Sequence, residues 1–275
     1  MISRITKKIL HILKGERLLP VYKTIDKAHV LSDKIVLITG GTGGIGYAIA
    51  ETAIASGAKV IISGTNIQKL KEYSSKLGEN ARTLSMDLNN IESIDVCVRG
   101  ALALFSENRI DVLINSAGFH GDWDFYNPDE VLFDKVMDIN VKGLYFVSNI
   151  VARHMIAKKI KGHILNISSS SALRPAWTPY QISKWAVNGI TKGLADYLLP
   201  YGIIVSGLAP GPTATEMVKK EGDDNLYYQD QPSHRFTTAQ EIANLAVFMV
   251  SSNGDMIVGD TFYITGGSGT ISYHR

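Results

Sequence analysis

Tyr180-Gln-Ile-Ser-Lys184 places a phenol and an ammonium four residues apart, which on a helix is one face. A cation beside a phenol favours phenolate, so a group that ordinarily titrates at about 10 moves toward a usable range. Such a tyrosine can give or take a proton at a substrate oxygen. The pair alone carries little weight, because 12 Tyr and 19 Lys produce about 0.8 such pairs by chance. A solvated helix face explains it equally well.

A second cluster lies far upstream. Thr39-Gly-Gly-Thr-Gly-Gly-Ile-Gly46 sits between an apolar strand pattern and a helical one. Glycines let the backbone turn sharply and approach a pyrophosphate, and the following helix N-terminus offers free N–H groups and a positive dipole end. The strand–turn–helix setting is what separates this motif from a glycine turn of steric origin. Two spacings fit: Thr39, Gly40, Gly44, Gly46, or Thr39, Gly40, Gly43, Gly46. Either way Gly40, Thr42, Gly44, Ile45 and Gly46 are candidate dinucleotide contacts.

The elements that must position these groups follow from periodicity. Apolar runs at 35–39, 59–63, 83–86, 112–115, 163–168, 203–208 and 261–264 predict strands. Helical spacing predicts helices at 45–56, 67–77, 91–105, 130–158, 180–199 and 239–251, with Gly57 and Gly78 as stops. Strands that are apolar throughout and alternate with helices imply a parallel sheet covered on both faces. The expected fold class is α/β, a doubly wound parallel sheet of Rossmann-like type in one domain, residues 31–275. Residues 1–30 are expected to form a basic amphipathic extension.

Taken in order, the motifs resemble those of the short-chain dehydrogenase/reductase family from about Lys34 to Gly267. The resemblance is carried by the glycine turn, Asp87-Leu88, Asn115-Ser-Ala-Gly118, Asn140, Asn166-Ile-Ser-Ser169, Tyr180 with Lys184, and Pro210-Gly211. It implies that Tyr180 is the general acid/base and that Lys184 lowers its pKa and hydrogen-bonds the nicotinamide ribose. It implies that Ser169 binds the substrate oxygen and that Asn140 holds a water relaying protons to Lys184. Ser169 and Tyr180 are spaced 11 positions apart, shorter than is common in the family. Asp87, Leu88, Asn115, Ala117, Gly118, Tyr180, Lys184, Pro210, Gly211 and Thr213 are then further cofactor contacts, with Asp87 at the adenine. Only 91 residues follow Lys184, which suits the short single-domain branch.

The second strand ends Gly64-Thr65-Asn66 without the acidic residue that binds a ribose 2′-hydroxyl. These three residues leave room for a 2′-phosphate, so NADP is favoured over NAD, although no Arg follows the strand. The expected activity is interconversion of a ketone and a secondary alcohol by hydride transfer. Reduction of 3-oxoacyl groups on acyl carrier protein is the alternative, with Lys158, Lys159 and Lys161 as a basic patch for that partner. Asp196 stands where such reductases commonly carry Arg. A dinucleotide-binding sensor or scaffold without catalysis is the third reading. Specificity is expected in segments 119–126 and 173–177 and in a lid within 212–237 that carries Leu226, Tyr227, Tyr228 and Phe236. His120 is weighed as a polar contact. The family resemblance implies a homotetramer or homodimer.

Composition agrees with these expectations. The chain has 275 residues, 45% hydrophobic and 20% charged, with a net charge of +2, so it carries no global nucleic-acid signature. One cysteine, Cys97, excludes an intrachain disulfide framework and a cysteine-rich metal site, and suits a reduced, cytoplasmic setting. No metal is expected. Residues 1–34 carry a net +5, leaving the other 241 at −3. Within residues 1–14, Ile2, Ile5, Ile9, Leu10, Ile12 and Leu13 gather opposite Arg4, Lys7, Lys8, His11 and Lys14 on a helix. Such a helix packs on its own body or a sister subunit, or makes a peripheral membrane or partner contact.

Overall fold

The computed structural model describes residues 29–215 and 226–271. β1 (Ile35–Thr39) is an apolar run with all five residues buried. Val36 and Ile38 enter one core, while Ile35 and Leu37 enter the other. Burial on both faces is why the run shows no polar alternation. The chain continues through α1 (Gly44–Ala55), β2 (Lys59–Gly64), α2 (Ile67–Leu77), β3 (Ala81–Ser85), α3 (Ile91–Leu102) and β4 (Val112–Asn115). Then come α4 (Glu130–Met137), a π-helical turn (Asp138–Gly143), α5 (Leu144–Ala157), β5 (His163–Ile167), a 3-10 turn (Ser170–Leu173), α6 (Pro179–Leu198) and β6 (Ile204–Pro210). The last elements are β7 (Thr213–Ala214), β8 (Thr237–Thr238), α7 (Ala239–Val250) and β9 (Thr261–Ile264).

The main sheet has seven parallel strands in the order β3-β2-β1-β4-β5-β6-β9. Ala48, Ile49 and Ala53 of α1, Leu70 of α2 and Ile242 to Val250 of α7 pack on one face. Ile94 and Val98 of α3, Val147, Val151 and Met155 of α5, and Ala195 and Leu198 of α6 pack on the other. This is the doubly wound, Rossmann-like single domain. Strand order reverses between β1 and β4, where Thr39 pairs with Asn115. Crevices of such sheets open at that switch point, outside the carboxyl ends of the strands.

The structure departs from sequence expectation in four places. β3 spans 81–85 rather than 83–86, because an edge strand of sequence Ala-Arg-Thr-Leu-Ser shows no clear apolar onset. α3 stops at Leu102, short of 105; Phe105 reaches the core from a loop, with Lys59 and Arg82 over its ring. The single helix expected over 130–158 is α4 and α5 joined by the π-helical turn. At the end of that turn Gly143 lies so close to Leu88 that a Cβ would stand 2.8 Å from Leu88 O. The fourth departure lies in segment 212–237, which holds the β7–β8 pair and an antiparallel bridge between Tyr227 and Arg235. There Tyr228 and Phe236 stack on each other at 4.4 Å rather than lying open. The amphipathic helix expected over residues 1–14 lies outside the described residues. No helix among the described residues is long and apolar enough to cross a membrane.

Candidate active site

At the switch point a cleft of about 710 Å³ is bounded by the glycine turn, the end of β2, the Asp87-Leu88-Asn89 loop and the Ser116–Phe119 segment. The glycines are there because side chains would not fit. Gly40 has φ +66°, and a Cβ on it would stand 2.6 Å from Ala117 Cα. A Cβ on Gly46 would stand 2.3 Å from Gly40 O, and one on Gly44 2.8 Å from Thr215 Cγ2. Gly43 is different: its nearest neighbour would be Gly40 O at 3.4 Å. Backbone packing therefore demands Gly40 and Gly46, which both spacings share, while the Thr215 side chain over Gly44 favours the first of the two. No side chain caps α1, so its first N–H groups are left for a ligand. Gly46→Ala is expected to lower stability by about 1–3 kcal/mol and to weaken dinucleotide binding, whereas Gly43→Ala leaves stability nearly unchanged; urea denaturation and fluorescence titration check this.

Gly40, Thr42, Gly44, Ile45, Gly46, Gly64, Thr65, Asp87, Leu88, Ala117 and Gly118 all line this cleft. Seven other predicted contacts do not: Tyr180 and Lys184 stand beyond Gly118, and five lie elsewhere. The side chain of Asn66 accepts from Lys69 N at 3.0 Å and is spent capping α2. Asn115 is 2% exposed and donates to Ser148 Oγ at 2.8 Å and Asn166 Oδ1 at 2.9 Å. It ties β4 to β5 and α5 from inside the sheet. Pro210 ends β6, Gly211 packs under Thr265, and Thr213 donates to Gly211 O at 2.9 Å. From that segment it is Thr215 that reaches the cleft.

Lys69 and Lys135 also line the cleft, and sequence reasoning passed over both. Lys69 lies in the first turn of α2, which begins directly after β2. That short connection was the available signal, since it stands the first helical turn over the strand end. Lys135 lies over the Phe119 ring at 4.3 Å from the centroid. A glycine cradle, an uncapped helix N-terminus and two cations around 710 Å³ fit a dinucleotide.

Beyond Gly118 stand the reactive side chains. Thr178 caps α6 in a reciprocal capping box with Gln181, and Pro179 occupies the first turn, so Tyr180 is held where the helix begins. The Ser169 hydroxyl lies beside the Tyr180 phenol, close enough to lower its pKa. Its Oγ accepts from Ser171 N at 3.1 Å, which leaves its own proton to donate. The neighbouring serines face elsewhere: Ser168 donates to Asn188 Oδ1 at 2.6 Å, and Ser170 is buried in the 3-10 turn. Lys184, 5% exposed, donates to Ile167 O at 3.0 Å, with its Nζ 5.5 Å from the Tyr180 ring centroid.

Electrostatics corrects one expectation. Burial pushes the Tyr180 phenol above its ordinary value of 10.0, and the Ser169 hydroxyl pulls against it. The expected lowering by Lys184 does not govern this arrangement. Lys184 is itself buried and held down at about 8 from 10.5, with its ammonium turned to the Ile167 carbonyl.

Asn140 is 1% exposed and lies in the π-helical turn, a feature frequent at functional sites. Its Oδ1 accepts from Phe119 N at 2.8 Å, and its Nδ2 donates to Phe119 O at 2.9 Å and Ser183 Oγ at 3.0 Å. Ser183 in turn donates to Tyr180 O at 2.7 Å. The amide thus fastens the loop after β4 to the first turn of α6. One lone pair on Oδ1 remains. A Cβ at Gly118 would stand 3.6 Å from Oδ1 and 3.7 Å from Lys184 Nζ, so the two atoms border one small space. His120 packs its ring on Tyr180, centroids 4.5 Å apart and tilted 42°. Its Nδ1 donates to Gly121 O at 2.7 Å, a bond that puts the proton on that nitrogen.

A parallel sheet with a glycine-lined cleft at its switch point defines a dinucleotide-binding α/β protein. The model of the short chain dehydrogenase family matches residues 34–226, and the chain belongs to that family. It is an NAD(P)-dependent oxidoreductase acting on CH–OH groups. It is 34% identical to the 3-oxoacyl-acyl-carrier-protein reductase FabG of Aquifex aeolicus, over 86% of this chain and 98% of that one. It is 32% identical to the gluconate 5-dehydrogenase of Gluconobacter oxydans, over 86% and 95% of the two chains. Among solved structures, a gluconate 5-dehydrogenase from Burkholderia cenocepacia in complex with NADP and tartrate matches with a TM-score of 0.81. The two are 28% identical, and the match covers 91% of this chain and all of that one.

Proposed function

We propose that residues 31–275 form an NADP-preferring carbonyl reductase or alcohol dehydrogenase in which Tyr180 is the general acid/base. The observation that carries this reading is the convergence of Ser169, Tyr180 and Lys184 beyond Gly118, at the end of the cleft. The nicotinamide, when bound, supplies or accepts the hydride. The chain's own groups handle the proton and the oxygen. In reduction, Tyr180, kept protonated by burial, donates from its phenol oxygen to the carbonyl oxygen as that oxygen gains charge. Ser169 donates a second hydrogen bond to the same oxygen. Lys184 would hold the nicotinamide ribose, and a water in the space bordered by Asn140 Oδ1 and Lys184 Nζ would return the proton.

Gly64 and Thr65 with Lys69 support a 2′-phosphate site, because a cation takes the place of the missing acid. NADPH is expected to bind more tightly than NADH. Lys69→Ala should weaken NADPH by on the order of 10-fold and leave NADH nearly unchanged. Fluorescence titration of both cofactors tests this, and equal loss for the two would remove Lys69 from the phosphate site.

Reduction of an acyl-carrier substrate is favoured by the likeness to FabG. The lysines expected to receive the carrier weaken that reading. Lys158, Lys159 and Lys161 are exposed between α5 and β5, at the amino edge of the sheet. Tyr180 is at the carboxyl edge, so the length of β5, roughly 17 Å, separates them. A homotetramer, with a homodimer as the second assembly, is supported by exposed Tyr145 and Phe146 on α5 and Ile182 and Trp185 on α6. The setting is read as cytoplasmic.

A further inference from the structure

We propose that Phe125 and Trp177 clamp the apolar arm of the substrate, so that this site takes an uncharged ketone or alcohol bearing an alkyl or aryl group. The inference rests on the oxidoreductase reading above and names its substrate class.

The two residues sit on loops that leave adjacent strands. β4 pairs with β5, Asn115 opposite Asn166, and both loops emerge at the carboxyl edge where Tyr180 lies. The first loop starts at Phe119, held by Asn140, and lays His120 on the Tyr180 ring. The second passes Ser169 and reaches Trp177 three residues before Tyr180. The rings meet edge to face, centroids 6.3 Å apart, and join the two loops at the edge of the sheet that carries the tyrosine.

Phe125 is 65% exposed and Trp177 54% exposed, yet the backbone carrying each is fixed. Trp177 N donates to Gln181 Oε1 at 2.9 Å, inside the capping box of α6. The Asp124 carboxylate accepts from Tyr126 N at 2.9 Å and from Asn127 Nδ2 at 2.6 Å, which closes the turn carrying Phe125. Large rings pinned in water leave apolar area unburied, and an apolar ligand covers it at little ordering cost.

Charge selects against an acidic substrate. Asp122 and Asp124 lie on the Phe125 loop, and hydrogen bonds from Asn127 and Tyr126 hold the Asp124 carboxyl below its usual range. Arg174, the cation of the Trp177 loop, donates to Ser268 Oγ at 2.7 Å. A sugar acid bound between the two rings would lie against aromatic faces, on a loop whose nearest charges, Asp122 and Asp124, are carboxylates; Lys135 stands at the start of that loop, over Phe119.

The test is kcat/KM with NADPH for 2-butanone, 2-hexanone and 2-octanone, with acetophenone and a keto sugar acid beside them. Wild type, Phe125→Ala, Trp177→Ala and Trp177→Phe are compared, with NADPH fluorescence titration on each. Wild type is expected to gain roughly 2- to 4-fold per added methylene and to prefer every ketone to the sugar acid. Both alanine variants should lose that gain while Trp177→Phe keeps most of it. A flat ketone series, a preference for the sugar acid, or a gain that survives both alanine changes overturns the proposal. The wild-type series decides alone if an alanine variant fails to fold. A chain that binds neither NADPH nor NADH overturns the oxidoreductase reading itself. A chain that binds NADPH and reduces the sugar acid while the ketone series is flat overturns only the clamp.

Discussion

Tyr180→Phe is expected to lower kcat/KM roughly 1,000-fold while leaving NADPH affinity within about twofold. The change removes one oxygen, and with it the group that loads a proton onto the substrate. Ser169, beside that phenol, would remain to polarise the carbonyl but cannot complete the transfer. Because burial keeps the phenol above its ordinary value of 10.0, the wild-type tyrosine stays protonated at neutral pH and is ready for reduction. Oxidation of the alcohol needs the phenolate, so its rate should rise with pH in wild type. Steady-state rates in both directions, together with cofactor fluorescence, provide the check. Retention of a tenth of the activity would take the acid/base role away from Tyr180.

The second large effect pulls function and stability apart. Lys184 is held at about 8 in the folded chain against an ordinary 10.5. Below about 8 both states carry the proton, and the fold bears the full cost of a buried ammonium. Between the two values the unfolded chain binds the proton and the folded chain does not. Stability therefore rises as pH climbs through this window. Above about 10 the raised Tyr180 begins to act in the opposite sense, so the clean interval is roughly 8–10. The shift corresponds to about 3 kcal/mol at neutral pH. Lys184→Met removes that cost and leaves the Ile167 carbonyl without its donor, an offset of about 1 kcal/mol. The variant is expected to be about 2 kcal/mol more stable at pH 7 and to show no rise between pH 8 and 10. Its turnover should fall at least roughly 100-fold. Urea denaturation at several pH values reads the first effect, and kinetics with the ketone panel reads the second. A destabilised Met variant at pH 7 would show that the ammonium is not strained in the fold.

Much of the architecture was legible in the sequence because its signals are local. Val36, Leu37 and Ile38 have no polar neighbours to alternate with, and that run is what a strand buried on both faces requires. Glycines 40 and 46 are recognisable in sequence because the backbone itself occupies the space where their Cβ atoms would be. The Tyr180–Lys184 spacing and the Thr178-Pro179 start of α6 are likewise properties of neighbouring residues. Where the signal was blurred, boundaries moved: β3, a mixed edge strand, began two residues earlier than its apolar pattern suggested.

What remained hidden depends on groups distant in the chain. Nothing within 130–158 marks a π-helical turn; it is set by Asn140 gripping Phe119 and by Gly143 pressed on Leu88. Asn115 carries a motif residue's identity but spends its amide inside the sheet on Ser148 and Asn166, while Lys69, outside every motif, reaches the cleft. Four consecutive serines look alike in sequence, and only the turn after β5 directs the Ser169 hydroxyl at Tyr180. The direction of the tyrosine's shift follows the same division. Residue types at fixed spacing told which groups meet, whereas the balance between desolvation and charge depends on how deeply the assembled fold buries them, a quantity set by the whole tertiary structure.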